Sequence, residues 1–247
     1  TPTLSSAASD VYKRQANVML VLAIAMLIGA ASQPDKDLKQ DALMLLAATA
    51  FVVLSVIIGK FPVWLGVLSI IWMGGYYAYI FRTRGGDDEG EEDSWIPQGY
   101  AYAIIAFLVG LILVKYGSDL LIEGGVGLAI SIGVSEAVIG LTLVAFGTSL
   151  PELAVTITAS IRGVQGVAIG NILGSNVANV MAVLGIGAIV AQGLSVSESF
   201  LTLDIWVLLG SSGIICVSIF LGKGVSKPLG AFLLFGYFFY VSQLFIG

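Results

Sequence analysis

The 247-residue sequence contains no histidine and a single cysteine. The first absence excludes His-based catalytic triads, His metal sites and imidazole pH switches. The second excludes an internal disulfide and a thiolate metal cluster; Cys216 lies inside an apolar run and says nothing about compartment. Charge is also scarce, at 11% of residues against 57% hydrophobic, where a soluble domain carries roughly 25% charged residues. The net charge of −5 comes without a dense basic patch, which argues against nucleic acid as a partner.

Hydrocarbon, by contrast, is abundant. Several apolar runs reach the ~20 residues that cross a bilayer, so the chain reads as an all-α integral membrane protein. Spanning segments must satisfy their own backbone hydrogen bonds, which makes them helices. The runs are 16–31 (incomplete), 42–59, 62–81, 100–122, 134–161, 167–191, 202–222 and 228–246, or seven full spans plus part of an eighth. Between the third and fourth lies an acidic linker, 84–98, with DDEGEED at 87–93. Its like charges repel and have no apolar partner, so it reads as a solvated loop rather than a cation site.

Residues 1–15, TPTLSSAASDVYKRQ, differ in character from the apolar run that begins at Ala16. A Ser-rich, basic targeting peptide is one reading. The other is a non-native leader, because DVYKRQ is one frame of GATGTGTATAAGAGACAG, which looks like a transposase end sequence used in library preparation. The second reading places the natural sequence from Ala16 onward.

The chain repeats itself. ANVMLVLAIAMLI at 16–28 recurs as ANVMAVLGIGAIV at 178–190, followed by the matches Asp41 with Asp204, Ser55 with Ser218 and Gly59–Lys60 with Gly222–Lys223. Residues 16–83 therefore read as the tail of a first copy and 99–247 as a complete second copy. About 79 residues precede ANVM in copy two, and as many are expected upstream of Ala16. Five spans per copy is an odd number, so successive copies are inverted in the membrane, as in many secondary transporters. Alternating the spans collects Lys36, Lys39, Arg82, Arg84, Arg162, Lys223 and Lys227 on one side and leaves Lys60 on the other. The positive-inside rule makes the crowded side cytoplasmic, with the 84–98 linker there, in a plasma (inner) membrane. Lys115, Asp119 and Glu123 form a charged stripe near the opposite face, either an interfacial ion-pair ladder or a cation vestibule.

Two spans of copy two carry polar residues at membrane depth. AFGTSLPEL places Thr148, Ser149, Pro151 and Glu152 midway along 134–161. Pro151 lacks an N–H, so the Gly147 carbonyl loses its helical partner. Freed backbone of this kind persists only where it is buried in protein or lines a cavity. Thr148, Glu152 and Thr156 share a face. An intramembrane carboxylate costs about 2.5–3.5 kcal/mol on insertion scales, which makes Glu152 a functional candidate. In the next span Asn171, Ser175 and Asn179 form a stripe at spacing four, beside the small residues Gly170, Gly174 and Ala178. That stripe fits interhelical packing as well as ligation. Carboxylate, hydroxyl, amide and carbonyl oxygens suit a hard cation such as Ca²⁺, which takes about 6–8 of them, and Na⁺ can occupy the same oxygens.

GTSLPE at 147–152 and GNILGSNVAN at 170–179 resemble the α-repeat of the sodium/calcium exchanger family, over residues 16–247. The resemblance implies ten spans in two inverted five-helix repeats and alternating access that couples Na⁺ to Ca²⁺, with no cofactor and no enzymatic reaction. It implies Glu152 as the principal carboxylate, hydroxyl and backbone oxygens from Thr148 and Ser149, a carbonyl from Ala145 and an oxygen from Ser175. Asn179 stands where some relatives carry Asp, which bears on stoichiometry and K⁺ dependence, and Asn17 is its counterpart. Thr148, Ser149, Glu152, Ser175 and Asn179 are expected to converge on one space, with Asn17 at its border. The first GTSLPE-type segment is expected on the missing first-repeat helices, without which the chain is expected not to carry out coupled transport. The alternatives are Ca²⁺/H⁺ or K⁺-dependent Na⁺/Ca²⁺ exchange, an intramembrane hydrolase with Ser149 as nucleophile, and a non-transporting scaffold.

Overall fold

A computed structural model of the chain describes residues 12–30, 35–84, 100–131, 145–196 and 203–246, with isolated positions at 133, 139 and 142. The protein is an all-helical membrane protein. Helix α1 covers residues 12–28, with Asn17–Val21 π-helical and Leu22–Ile28 α-helical. Helix α2 is Lys36–Ile58; the Asp35 side chain caps it by accepting from the Leu38 amide at 2.6 Å. It stops at Gly59, whose φ of 78° belongs to the left-handed region that glycine tolerates. Helix α3 is Val63–Arg84 and α4 is Tyr100–Ser131. The short α5, Ala145–Thr148, precedes α6, Leu150–Ile161. Helix α7 runs Gln165–Val190 with a π-helical middle at Asn179–Leu184. Helices α8, Asp204–Phe220, and α9, Lys227–Ile246, complete the described order. Two short strands, β1 at Lys60–Phe61 and β2 at Leu194–Ser195, pair antiparallel and tie together two loops on one side.

Among the described residues, α2, α3, α4 and α7 each contain a stretch long and apolar enough to cross a membrane. Lipid tails are as apolar as leucine, so burying hydrocarbon between helices gains little there. Close packing at small residues and interhelical hydrogen bonds hold such a bundle instead. Both devices occur in duplicate. The ANVM segments turn π-helical at the same place, beginning at Asn17 and at Asn179. Leu65–Gly66 of α3 recurs as Leu229–Gly230 of α9. A Cβ on Gly66 would lie 2.6 Å from the Gly185 carbonyl oxygen, and one on Gly230 would lie 2.9 Å from that of Ala23. Gly185 and Ala23 occupy matching positions, six residues after Asn179 and Asn17. The last helix of each half thus crosses the central rod of the other. The Tyr76 hydroxyl donates to Asp41 at 2.7 Å and the Tyr240 hydroxyl to Asp204 at 2.6 Å, which fastens the last two helices of each half in the same way.

One expectation meets the structure differently. Helix α4 extends to Ser131 instead of stopping near Ile122, because neither proline nor a charge interrupts residues 124–131. The Lys115–Asp119 pair, 2.6 Å apart and mostly exposed, lies midway along this helix. Residues 12–15 form the first turn of α1. Residues 1–11, the linker from residue 85 and most of 134–144 lie outside the described residues.

Because Gly66 and Gly230 have no room for a methyl group, Gly66→Ala and Gly230→Ala are each expected to lower stability by about 1–3 kcal/mol. Gly74→Ala, with nothing within 4 Å of the added Cβ, should cost nothing. Thermal unfolding of the detergent-purified chain measures the difference.

Candidate cation site

The GTSLPE segment does not kink one helix; it separates two. Ser149 adopts φ −95° and ψ −1° between α5 and α6, and its amide donates to Phe146 O at 2.9 Å in a tightened turn. Pro151 falls at the second position of α6, where a helix has no use for its absent N–H. Gly147 lets α4 approach, since a Cβ there would collide with the Ile122 side chain. The hydroxyls of Thr148 and Ser149 both donate to the Ala145 carbonyl, each at 3.0 Å. These three residues share a knot at the break.

Glu152 is in the first turn of α6, where the helix dipole favours a carboxylate. Its side chain is 13% exposed. Oε1 accepts from the Ser175 hydroxyl of α7 at 2.8 Å and lies 2.9 Å from the Lys13 ammonium of α1. Asn171, one turn before Ser175, stitches α7 to α6: its Nδ2 donates to the Glu152 carbonyl at 3.2 Å and to Thr156 Oγ1 at 3.0 Å. From α1, Asn17 Nδ2 donates to Ser175 Oγ at 3.4 Å and to Asn176 Oδ1 at 3.2 Å. Two buried acceptors, Glu152 Oε2 and Asn17 Oδ1, receive no hydrogen bond from any described residue. Unsatisfied buried oxygens are costly unless something positive approaches them.

A cavity of about 450 Å³ opens onto this group, lined by Lys13, Tyr77, Glu152, Asn171, Gly174 and Ser175 among others. The structure therefore brings Glu152, Ser175 and Asn17 together. Thr148, Ser149 and Ala145 lie about one turn away on the break, and Asn179 lies one turn beyond Ser175; none of the four is among the residues lining the cavity. Asn179 is buried, and its Nδ2 has no hydrogen-bond partner among the described residues. Two contributors went unassigned in the sequence. Asn171 belonged to the polar stripe, and its spacing of four from Ser175 was the available signal. Lys13 precedes Asn17 by the same four residues that separate Ser175 from Asn179. No three acidic or thiol groups gather among the described residues. Beside the Lys13 ammonium, the group thus offers one carboxylate and several neutral oxygens, atoms of the kind that hard cations take.

A family model described as sodium/calcium exchanger protein matches residues 102–246, which include both the broken helix and the stripe on α7. The chain belongs to this exchanger family. It is 37% identical over 146 residues to a putative antiporter, CaxA, of Alkalimonas amylolytica, covering 58% of this chain and 46% of that one. It is 34% identical over 176 residues to an uncharacterized membrane protein of Methanocaldococcus jannaschii, covering 70% of this chain and 56% of that one. Sodium/calcium exchanger MaX1 of Methanosarcina acetivorans matches at 48% over 87 residues, 35% of this chain and 25% of the relative. The chain thus spans about half the length of the first two relatives. A structure of the sodium-calcium exchanger NCX_Mj superposes with a TM-score of 0.75 at 27% identity, covering 96% of this chain and 76% of that one.

The Asn171 amide joins two helices of this exchanger-family chain through two hydrogen bonds. Asn171→Ala is expected to cost about 1–3 kcal/mol by leaving Thr156 and the Glu152 carbonyl short of a donor. Asn171→Asp cannot donate and should not restore the loss; thermal unfolding of both variants tests this.

Proposed function

We propose that the chain is part of a secondary antiporter that exchanges Na⁺ for Ca²⁺ across a membrane by alternating access. The observation that carries this reading is Glu152: a largely buried carboxylate beside a helix break, held by a neighbouring hydroxyl, with one oxygen still seeking a positive partner. Its ligand partners are Ser175, Asn17 and Asn179 from the two π-helical rods, with Thr148, Ser149 and the Ala145 carbonyl contributing from the break. The two hydroxyls donate to Ala145 O. Rotating them away frees all three oxygens for a cation. A single carboxylate leaves Ca²⁺ half neutralised in a low dielectric. A second acidic residue, on first-repeat helices absent from this sequence, completes the balance. A site that holds either Ca²⁺ or Na⁺ but cannot cross the membrane with bare charges is an exchanger by electrostatic necessity. The membrane is the plasma (inner) membrane, with the 84–98 linker cytoplasmic.

A chimera joining residues 16–247 to the preceding segment of NCX_Mj tests this in proteoliposomes. The expected outcome is Ca²⁺ uptake driven by an outward Na⁺ gradient, independent of K⁺ and unaffected by a pH gradient. Glu152→Gln should reduce uptake at least tenfold. Uptake driven only by a pH gradient would assign Ca²⁺/H⁺ exchange instead, a K⁺ requirement would assign K⁺-dependent exchange, and uptake indifferent to Glu152→Gln would remove the site.

A further inference from the structure

A second cavity, of about 170 Å³, adjoins the one at Glu152. Asp41 of α2, Tyr76 and Tyr77 of α3, and Gly170 and Gly174 of α7 are among its lining. Tyr77 and Gly174 also line the Glu152 cavity, so the two spaces share a wall with one carboxylate on either side of it. Asp41 sits in the second turn of α2, Gly170 in the second turn of α7, and Tyr76 about two turns before the end of α3. The Asp41 cavity therefore lies toward the end of the bundle that carries Lys36, Lys39 and Arg84. Glu152 lies deeper, level with Ser175 and one turn further along α7.

The Asp41 carboxylate does more than fasten two helices. Its Oδ1 accepts from the Tyr76 hydroxyl at 2.7 Å, a bond that ties α2 to α3 and requires no cavity. Its Oδ2 faces α7, 3.9 Å from where a Cβ on Gly170 would stand. A Cβ on Gly174 would meet nothing within 4 Å, so the two glycines leave the space before the carboxylate open. One carboxylate and one hydroxyl cannot replace the roughly 6–8 oxygens that Ca²⁺ takes. An ion here keeps much of its water, and the cavity has room for several molecules of it. Weak holding of this kind suits a pathway, where an ion must be drawn in and then let go. A carboxylate between low-dielectric walls also raises the local concentration of cations.

We propose that the Asp41 cavity is an outer cation site on the path to Glu152, where a hydrated ion pauses before it passes between Tyr77 and Gly174. The inference rests on the reading of Glu152 as a cation ligand. Tyr77 is 46% exposed and has room to swing its ring aside, while Gly174 presents no side chain to the ion.

Thiol labelling of the detergent-purified 247-residue chain tests this. In a Cys216→Ala background, which leaves no other thiol, Gly174→Cys places a reporter in the shared wall. Its rates with a cationic (trimethylammonioethyl) and an anionic (sulfonatoethyl) methanethiosulfonate are measured, each divided by the rate with β-mercaptoethanol. The expected result is a preference for the cation that falls about fivefold or more on Asp41→Asn. Added Ca²⁺ should slow the cationic reagent when Asp41 is present and not in Asp41→Asn. Tyr77→Cys repeats the comparison from a second position in the same wall. A preference and a Ca²⁺ effect unchanged by Asp41→Asn would overturn the outer site while leaving Glu152 as a ligand. A thiol that reacts with neither reagent at either position would overturn the passage. Labelling that depends on Asp41, together with chimera uptake indifferent to Glu152→Gln, would overturn the path by removing its destination.

Discussion

A carboxylate at membrane depth has to be neutralised, and the arrangement around Glu152 follows from that requirement. Its side chain is only 13% exposed, and isolated burial of such a charge would cost several kcal/mol. The chain answers with the start of a helix, a serine hydroxyl and an ammonium, all within one neighbourhood. Each answer demands further structure. The helix start requires the break at Ser149, the hydroxyl requires α7 to lie against α6, and Asn171 fixes that contact by bonding both backbone and side chain of α6. One oxygen of the carboxylate still faces no donor among the described residues. That residual demand for positive charge is what the proposed cation site rests on, in electrostatic terms.

The second constraint is geometric. Helices in lipid gain little from burying hydrocarbon against one another, so they must touch closely to gain dispersion energy. Gly66 against Gly185 and Gly230 against Ala23 are close approaches of this kind, and they are related by the internal repeat. The paired π-helical segments obey the same relation. A π turn widens the helix and leaves the backbone bonding less regular, a feature frequent at functional sites. Here both widenings begin at an asparagine whose side chain is buried and incompletely bonded among the described residues, Asn17 through Oδ1 and Asn179 through Nδ2. The two halves place matching irregularity at matching positions, and the cavity lies beside it.

Much of this was legible in one dimension. Composition alone indicates a helical membrane protein, because no soluble fold hides so much hydrocarbon. The recurrence of ANVM and the one acidic residue between proline and an apolar run led to the two helices that meet at Glu152. Less legible were the extent of α4 and the role of Asn171. A charge at Glu123 marks a span boundary only if the helix ends there, and a polar residue on a stripe does not announce which neighbour it bonds. The close-approach glycines were equally silent, since Gly74 and Gly66 look alike in the sequence while only Gly66 meets a neighbouring backbone.

Spacing and residue type, which are local, determined by themselves that the chain is helical, that it repeats, that it places one carboxylate at a break and that hydroxyl, amide and carbonyl oxygens accompany it. Which of those oxygens meet was decided by the tertiary structure. It joined Glu152 to Ser175 and Asn17, held Thr148 and Ser149 against Ala145, and aimed Lys13 at the same carboxylate. The physical reason is that convergence depends on the angle and depth at which separate rods cross. In lipid those are set by where small side chains let backbones touch, and no single helix carries that information.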